Sequence, residues 1–192
     1  DGDYTLLDTA LSNAFDSRYV QDEMGIGVLM RERRHFFIVS LNYQWANLES
    51  EQTFPAVGSI DKNFNAFVPF AMWRYRKDRN NTLRVYYRAN TSAPSIAQLQ
   101  NVIDNSNPVQ LTVGNPDLDQ QYTHSLNMRW NLNNQDKNTV TYWLLSATAV
   151  QAYVGNSTIY AERDTVLSNG IFLPRGTQLT TATNLDDRYT LR

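Results

Sequence analysis

Residues 83–118 read LRVYYRANTSAPSIAQLQNVIDNSNPVQLTVGNPDL. The stretch opens as an alternating strand, with Leu83, Val85, Tyr87 and Ala89 on one face and Arg84, Tyr86 and Arg88 on the other. At Pro94 it breaks into a polar excursion. There Ile96, Leu99, Val102 and Ile103 have helical spacing, which predicts a helix of about two turns near Ser92 or Ser95. Asn107-Pro108 ends it, an extended piece follows at Val109–Val113, and Asn115-Pro116-Asp117 turns the chain into another strand.

Working outward, the same plan repeats. Tyr19–Met30 reads as a strand with Gly25 and Gly27 on one face, which leaves room for a neighbouring group or a bend. Phe37, Val39, Leu41, Tyr43 and Trp45 alternate with Ser40, Asn42 and Gln44, a period of two over a long run. Phe64–Arg76 alternates less cleanly, and Pro69 within it argues for an edge, a bulge or a bend. Gln121–Asn131 and Asn138–Tyr153 are further strands. Thr158–Val166 and Gly170–Leu179 suit a small hairpin around Ser168-Asn169-Gly170. Arg188–Arg192 begins a last strand. Asp1–Arg18 is expected to be a short helix or an irregular entry segment, with helical spacing from Leu6 to Phe15.

Short turns fall near 33, 79 and 135, and long connections near 55 (Asn47–Asn63), 105 (91–119) and 170. The two kinds alternate. Several strands run ten residues or more, against about 5–6 in soluble sheets, and a tilted strand needs about 9–11 to cross a bilayer. Short turns on one rim, long loops on the other and long amphipathic strands between them suit an outer-membrane barrel. Aromatics agree. Phe36, Phe37, Trp73, Tyr75, Trp130, Tyr142 and Trp143 lie near the short turns, and Tyr43 and Trp45 near the long loops, as two interfacial girdles would. The competing arrangement is a soluble β-sandwich binding carbohydrate or another ligand, with Trp45, Trp73, Trp130 or Trp143 as stacking platforms.

Composition narrows the partners. The chain has 192 residues and a net charge of −2, so no bulk attraction to nucleic acid is implied. Arg31, Arg33 and Arg34 are read as a solvated hairpin tip. With no cysteine, disulfides, thiolate metal sites and a cysteine nucleophile are excluded. His35 and His124 lack ligand spacing, so no metal is expected. Asp1 with Asp3, and Asp117 with Asp119, read as turn carboxylates rather than calcium ligands. Asn80-Asn81-Thr82, Asn90-Thr91-Ser92 and Asn156-Ser157-Thr158 match a glycosylation pattern by chance in a bacterial chain. No phosphate loop, nucleophile elbow or triad is present, and nothing places Asp186, Asp187 and Asp164 across a substrate. No enzymatic activity and no cofactor are expected. Arg84, Tyr86 and Arg88 share a polar face and are the candidate lumen residues. Either they meet an anionic substrate or a plug, or they pair with acids on neighbouring strands.

The central stretch also resembles a known family. Arg88 through Pro94-Ser95-Ile96 and Gln98-Leu99, then Asp104, Ser106 and Pro108, then Gly114-Asn115-Pro116-Asp117-Leu118 with Tyr122 are similar to the barrel domain of TonB-dependent receptors and related outer-membrane β-barrel proteins of Bacteroidetes-type bacteria. The resemblance implies a barrel in the outer membrane of a Gram-negative bacterium, surrounded by lipid, that takes up a nutrient with a plug domain and energy from a TonB complex. About six or seven strands cannot close that family's large barrel. Residues 1–192 are therefore expected to be a partial barrel domain: an all-β, antiparallel up-and-down meander with short helical pieces in the N-terminal segment and the 91–119 loop. In water its unpaired edges would favour oligomers.

Overall fold

A computed structural model describes residues 14–54, 57–104, 106–167 and 172–192. Seven strands form one antiparallel sheet: β1 (Ala14–Arg31), β2 (His35–Phe54), β3 (Gly58–Arg76), β4 (Asn81–Ser92), β7 (Gln121–Asn134), β8 (Thr139–Gln151) and β13 (Arg188–Leu191), in that spatial order. Each pairs with its neighbour, so the sheet is an up-and-down meander that does not close on itself.

The short turns at 32–34, 77–80 and 135–138 all lie at one end. In the second, Asp78 caps the turn: its Oδ1 accepts from the amides of Asn80 (2.7 Å) and Asn81 (2.8 Å) and its Oδ2 from the Asn81 side chain (2.7 Å). In the third, Asn138 takes the left-handed conformation (φ 48°), which asparagine tolerates better than most residues.

The sheet has two unlike faces. One carries Met24, Ile26 and Val28 of β1, Val39, Leu41, Tyr43 and Trp45 of β2, and Trp130 and Trp143 of β7 and β8, all exposed. Among the described residues no second sheet packs on these side chains, and the chain is a single open meander rather than the alternative β-sandwich. The opposite face is concave and polar toward its middle, and register fixes which residues share it. The rung Gly27–Ser40–Phe70–Arg88–Ser125–Thr148 crosses six strands.

Aromatic girdles form on the outer face. Toward the short turns, His35, Tyr75, Leu83, Trp130 and Trp143 lie on one rung, with Phe37 and Trp73 on the next. Toward the far end, Tyr43 packs on Phe67 with ring centroids 5.1 Å apart and on Trp45 at 6.1 Å. Tyr75 and Phe67 are eight residues apart, about 27 Å along a strand. A tilt of about 40° reduces that to about 20 Å, close to the roughly 25 Å apolar band of such barrels. Two expected girdle members differ: strand alternation turns Phe36 and Tyr142 to the concave face, beside arginines.

Three boundaries also differ from expectation. Strand β1 begins at Ala14 rather than Tyr19, while the expected helix within Asp1–Arg18 otherwise lies outside the described residues. The expected long connection Asn47–Asn63 is instead strand on both sides, so β2 and β3 run 20 and 19 residues as one overhanging hairpin. The helix after Pro94 is a single turn, α1 (Ile96–Leu99). Ser95 caps it in a capping box with Gln98, and the chain then leaves the helix because Ile103 and Asp104 pair into a sheet. Pro69 sits where a proline costs least: β3 pairs with β4 only from Phe70 onward, leaving Pro69 on a free edge.

The two long connections fold together. β5 (Ile103–Asp104), β6 (Gln110–Val113), β12 (Gln178–Asn184) and β9 (Val154–Tyr160) form a second sheet, in which β6 and β12 are parallel. β10 (Thr165–Val166) pairs with β11 (Phe172–Leu173), as the expected hairpin requires, and its tip at 168–171 lies outside the described residues. Leu111, Val113, Ala161, Leu173 and Leu179 make this unit's own core. A second cluster joins it to the overhanging hairpin, where Leu99, Leu118 and Ala182 pack against Ala46, Leu48 and Phe64. The loop sheet therefore covers the concave side of β2 and β3 at the long-loop end.

Candidate functional site

The concave face holds the residues able to meet a ligand. Across β1 to β4 on this face lies a groove of about 410 Å³ whose lining includes Gln21, Glu23, Asn42, Gln44, Tyr86 and Arg88. Its hydrogen-bonding groups come from alternate positions of β1 and β2, which strand geometry places on one side, and from Tyr86, Arg88, Asn90 and Thr91 of β4. Gly25 makes this possible: a Cβ there would overlap the Asn42 side chain, so Asn42 lies across β1 and its amide donates to the Glu23 carboxylate. Gln44 reaches over β3 and donates to the Thr91 hydroxyl (2.5 Å). The floor is thus a set of amides, hydroxyls and one carboxylate, edged by Phe70 and Tyr86, whose rings meet edge to face at 5.2 Å. Such a surface suits a polar solute contacted by hydrogen bonds and an aromatic face.

Arg84, Tyr86 and Arg88 all lie on this face, as their alternation requires. Tyr86 and Arg88 line the groove just described. Arg84 lies nearer the short turns, in a separate groove of about 460 Å³ shared with Tyr86, Asn127, Arg129, Ser146 and Arg192. Among the described residues, the neighbouring strands set no carboxylate directly beside them. Register puts Phe70, Met72 and Arg74 of β3 and Ser125, Asn127 and Arg129 of β7 beside the three residues, and none is a carboxylate.

The loop motif is structural. Gly114 is required because a Cβ would fall inside contact of the Gln100 carbonyl oxygen and 2.9 Å from that of Ala97. The Asn115 amide N–H donates to the Gln98 carbonyl (2.6 Å), its side-chain amide donates to the Ala182 carbonyl (3.2 Å), and its Oδ1 accepts from the Asp117 amide (2.9 Å). Leu118 is wholly buried. Asp104 accepts from Ser106, whose hydroxyl and amide hold its carboxyl below the usual carboxylate range. None of these groups faces the groove.

The two histidines serve the outer face separately. His35 accepts from the Trp73 indole (3.3 Å), and His124 shares a 2.8 Å hydrogen bond with the Tyr87 hydroxyl. Among the described residues no group of three or more His, Cys, Asp or Glu side chains could hold a metal ion. Asp164 accepts from the Arg175 amide (2.8 Å) and Asp187 from the Tyr189 hydroxyl (3.2 Å), so each serves its own turn. The groove itself was not foreseen from sequence. The polar run Ser40, Asn42, Gln44 was its visible signal, but its meeting with Asn90 and Thr91 depends on long-range register.

Comparison with known proteins agrees with this architecture. The chain is similar in fold to the siderophore receptor PirA from Pseudomonas aeruginosa (TM-score 0.56, 9% identity), with 94% of this chain and 39% of that one covered. It is also similar to a mutant of the ferric enterobactin receptor PfeA from Pseudomonas aeruginosa, solved with enterobactin (TM-score 0.53, 8% identity), with 92% of this chain and 33% of that one covered. The chain therefore spans well under half the length of either receptor. No curated protein matches it. Residues 41–192 match the outer membrane protein beta-barrel family. With its exposed apolar outer face, its girdles and its meander, the chain belongs to that family, in the outer membrane of a Gram-negative bacterium.

Proposed function

We propose that this chain forms part of the wall of a TonB-dependent transport barrel that takes up a nutrient. In this reading the overhanging hairpin and the loop sheet face the exterior, and the groove at Gln44 and Arg88 lies in the lumen. The observation that carries it is the two-faced meander itself, apolar outward and hydrogen-bonding inward, in a chain of the outer-membrane β-barrel family. The motif from Arg88 to Leu118 supports the narrower assignment to Bacteroidetes-type receptors.

Lipid would cover the outer face, further strands would pair with the open edges of β1 and β13, and a plug domain would occupy the lumen. TonB would supply energy through parts of the protein other than these strands. The chain performs no catalysis in this account and needs no cofactor. Isolated in water, its apolar outer face and free edges would drive oligomerisation.

The test is uptake in the host. Deletion should abolish growth on one nutrient supplied at limiting concentration, and a protonophore should stop that uptake in the wild type. Uptake that persists without an energised inner membrane would contradict the TonB-dependent reading.

A further inference from the structure

The overhanging hairpin and the 91–119 loop enclose a pocket distinct from the lumen groove. Alternation turns Ala46, Leu48 and Ser50 of β2 to the concave side, and register sets Ser50 beside Ile60 and Gln52 beside Gly58 of β3. Ala46 and Leu48 close on Leu99 and Leu118. Further along the hairpin a cavity of about 310 Å³ lies between the two layers. Ser50, Gly58 and Ile60 line it from the hairpin, and Leu99, Val102 and Pro116 from the loop. No residue lines both this pocket and the groove at Gln44 and Arg88.

The first feature that selects a ligand is an unused polar group. Ser50 is 3% exposed, and its hydroxyl has no hydrogen-bond partner among the described residues. A buried hydroxyl left unpaired is costly, so the pocket wall offers one donor and acceptor that a guest can satisfy. The second feature is neutrality. No charged side chain lines the pocket, whereas Glu23 and Arg88 both line the groove. An ion entering the pocket would lose hydration and find no opposite charge.

The third feature is open space of a definite size. An apolar cavity of about 150 Å³ takes up benzene, so this pocket has room for one ring with a short substituent. Gly58 helps to keep it open, since nothing lies within 4 Å of a Cβ built there. Val57, 90% exposed, stands on the solvent side. Ile60, Leu99 and Val102 give the ring an apolar surface, and a molecule hydroxylated all round would leave hydroxyls unpaired against them.

We propose that this pocket is a second ligand site, for a small neutral molecule with an apolar ring and one hydroxyl or carbonyl. That group pairs with Ser50, and the ring joins the hairpin to the 91–119 loop. The site stands apart from the solute contacted in the lumen and from the energy source of transport.

Its test is thiol labelling of Ser50→Cys in the complete barrel, purified in detergent with any cysteine elsewhere replaced by serine. Two methanethiosulfonate reagents are compared, one carrying a benzyl ring and one an ethylsulfonate. Ser157→Cys, exposed on β9, gives their ratio at an open site. Relative to it, the benzyl reagent should be favoured at position 50 by about tenfold or more, because the sulfonate loses its hydration there without a counter-charge. Benzyl alcohol should slow benzyl labelling at position 50 and leave position 157 unchanged, and sorbitol should slow neither. Adding Gly58→Phe, whose ring fills the pocket, should remove the protection by benzyl alcohol. Gln52→Cys, on the same face and lining the same pocket, carries the comparison if Ser50→Cys yields no heat-modifiable barrel. Equal reagent ratios at the pocket and at position 157, no labelling in the pocket by either reagent, or protection by sorbitol as strong as by benzyl alcohol overturns the proposal. The assay needs no transport, so its outcome is independent of the uptake test.

Discussion

Lys62 and Leu118 join the long hairpin to the loop sheet: the ammonium of Lys62 donates to the Leu118 carbonyl over 2.7 Å, and the Leu118 side chain is fully buried among Leu99, Phe64 and Ala182. A charged group on β3 thus binds the backbone of one loop, while the same residue's side chain fills the cluster that gathers the other. The two loops should consequently be ordered or lost together.

Leu118→Ala tests that coupling. Removing a buried leucine side chain typically costs about 2–5 kcal/mol. Limited proteolysis should show faster cleavage in both 93–120 and 152–187, although the substitution lies in only one of them. Faster cleavage confined to 93–120 would separate the loops.

Gly114→Ala should act through the backbone. Its new methyl group would overlap the Gln100 carbonyl oxygen, so the turn must shift and β6 should lose its parallel register with β12. Gly58→Ala is the matched control, since nothing lies within 4 Å of a Cβ there; a substitution in open space usually stays within about 0.5 kcal/mol. Hydrogen exchange at Leu111–Val113 should accelerate for the first variant and hold for the second.

These loop contacts mark how far the sequence could be read. Strand faces were legible because the membrane imposes a period of two, so Arg84, Tyr86 and Arg88 fall together and Val39 to Trp45 fall opposite Ser40 to Gln44. The short turns were legible from their polar residues. The overhang of β2 and β3 was not, because beyond the lipid its outer positions Asn47, Glu49 and Glu51 are as polar as a loop. The remaining signal, Ala46, Leu48, Ile60 and Phe64 on one face, becomes meaningful only once the loop sheet covers them. The groove depends on register between strands, which no local pattern specifies. Phe36 and Tyr142 were misassigned to the girdle for a related reason: nearness to a turn does not fix a face.

Asp78 gives a pH dependence. Hydrogen bonds from the Asn81 side chain and the Asn80 amide hold its carboxyl below the usual carboxylate value. A depressed folded pKa means that the stabilisation is fully present above the ordinary carboxylate pKa, about 3.9, and is lost as pH falls through the lower folded value. Slow exchange of the Asn80 and Asn81 amides should therefore persist at mildly acidic pH and disappear only under stronger acid. In Asp78→Ala these amides should exchange fast at every pH.

Leu41→Lys probes the outer face. Leu41 is 48% exposed and sits mid-strand between the girdles. A lysine at the bilayer midplane costs roughly 2–4 kcal/mol in outer-membrane barrels. The variant should give less heat-modifiable barrel in outer membranes than Lys137→Leu, a change in the third short turn outside the lipid band.

Ser40 and Leu41 offer the most direct test of the central claim, because adjacent residues face opposite sides of the wall. These 192 residues contain no cysteine, so Ser40→Cys and Leu41→Cys each provide a single thiol for a small fluorophore once any cysteine elsewhere in the protein is replaced by serine. In the complete barrel reconstituted into bilayers containing nitroxide-labelled lipid, the fluorophore at position 41 should be strongly quenched and that at position 40 spared. Equal quenching at both positions, or stronger quenching at 40, would contradict a membrane wall with Leu41 in lipid and Ser40 in the lumen.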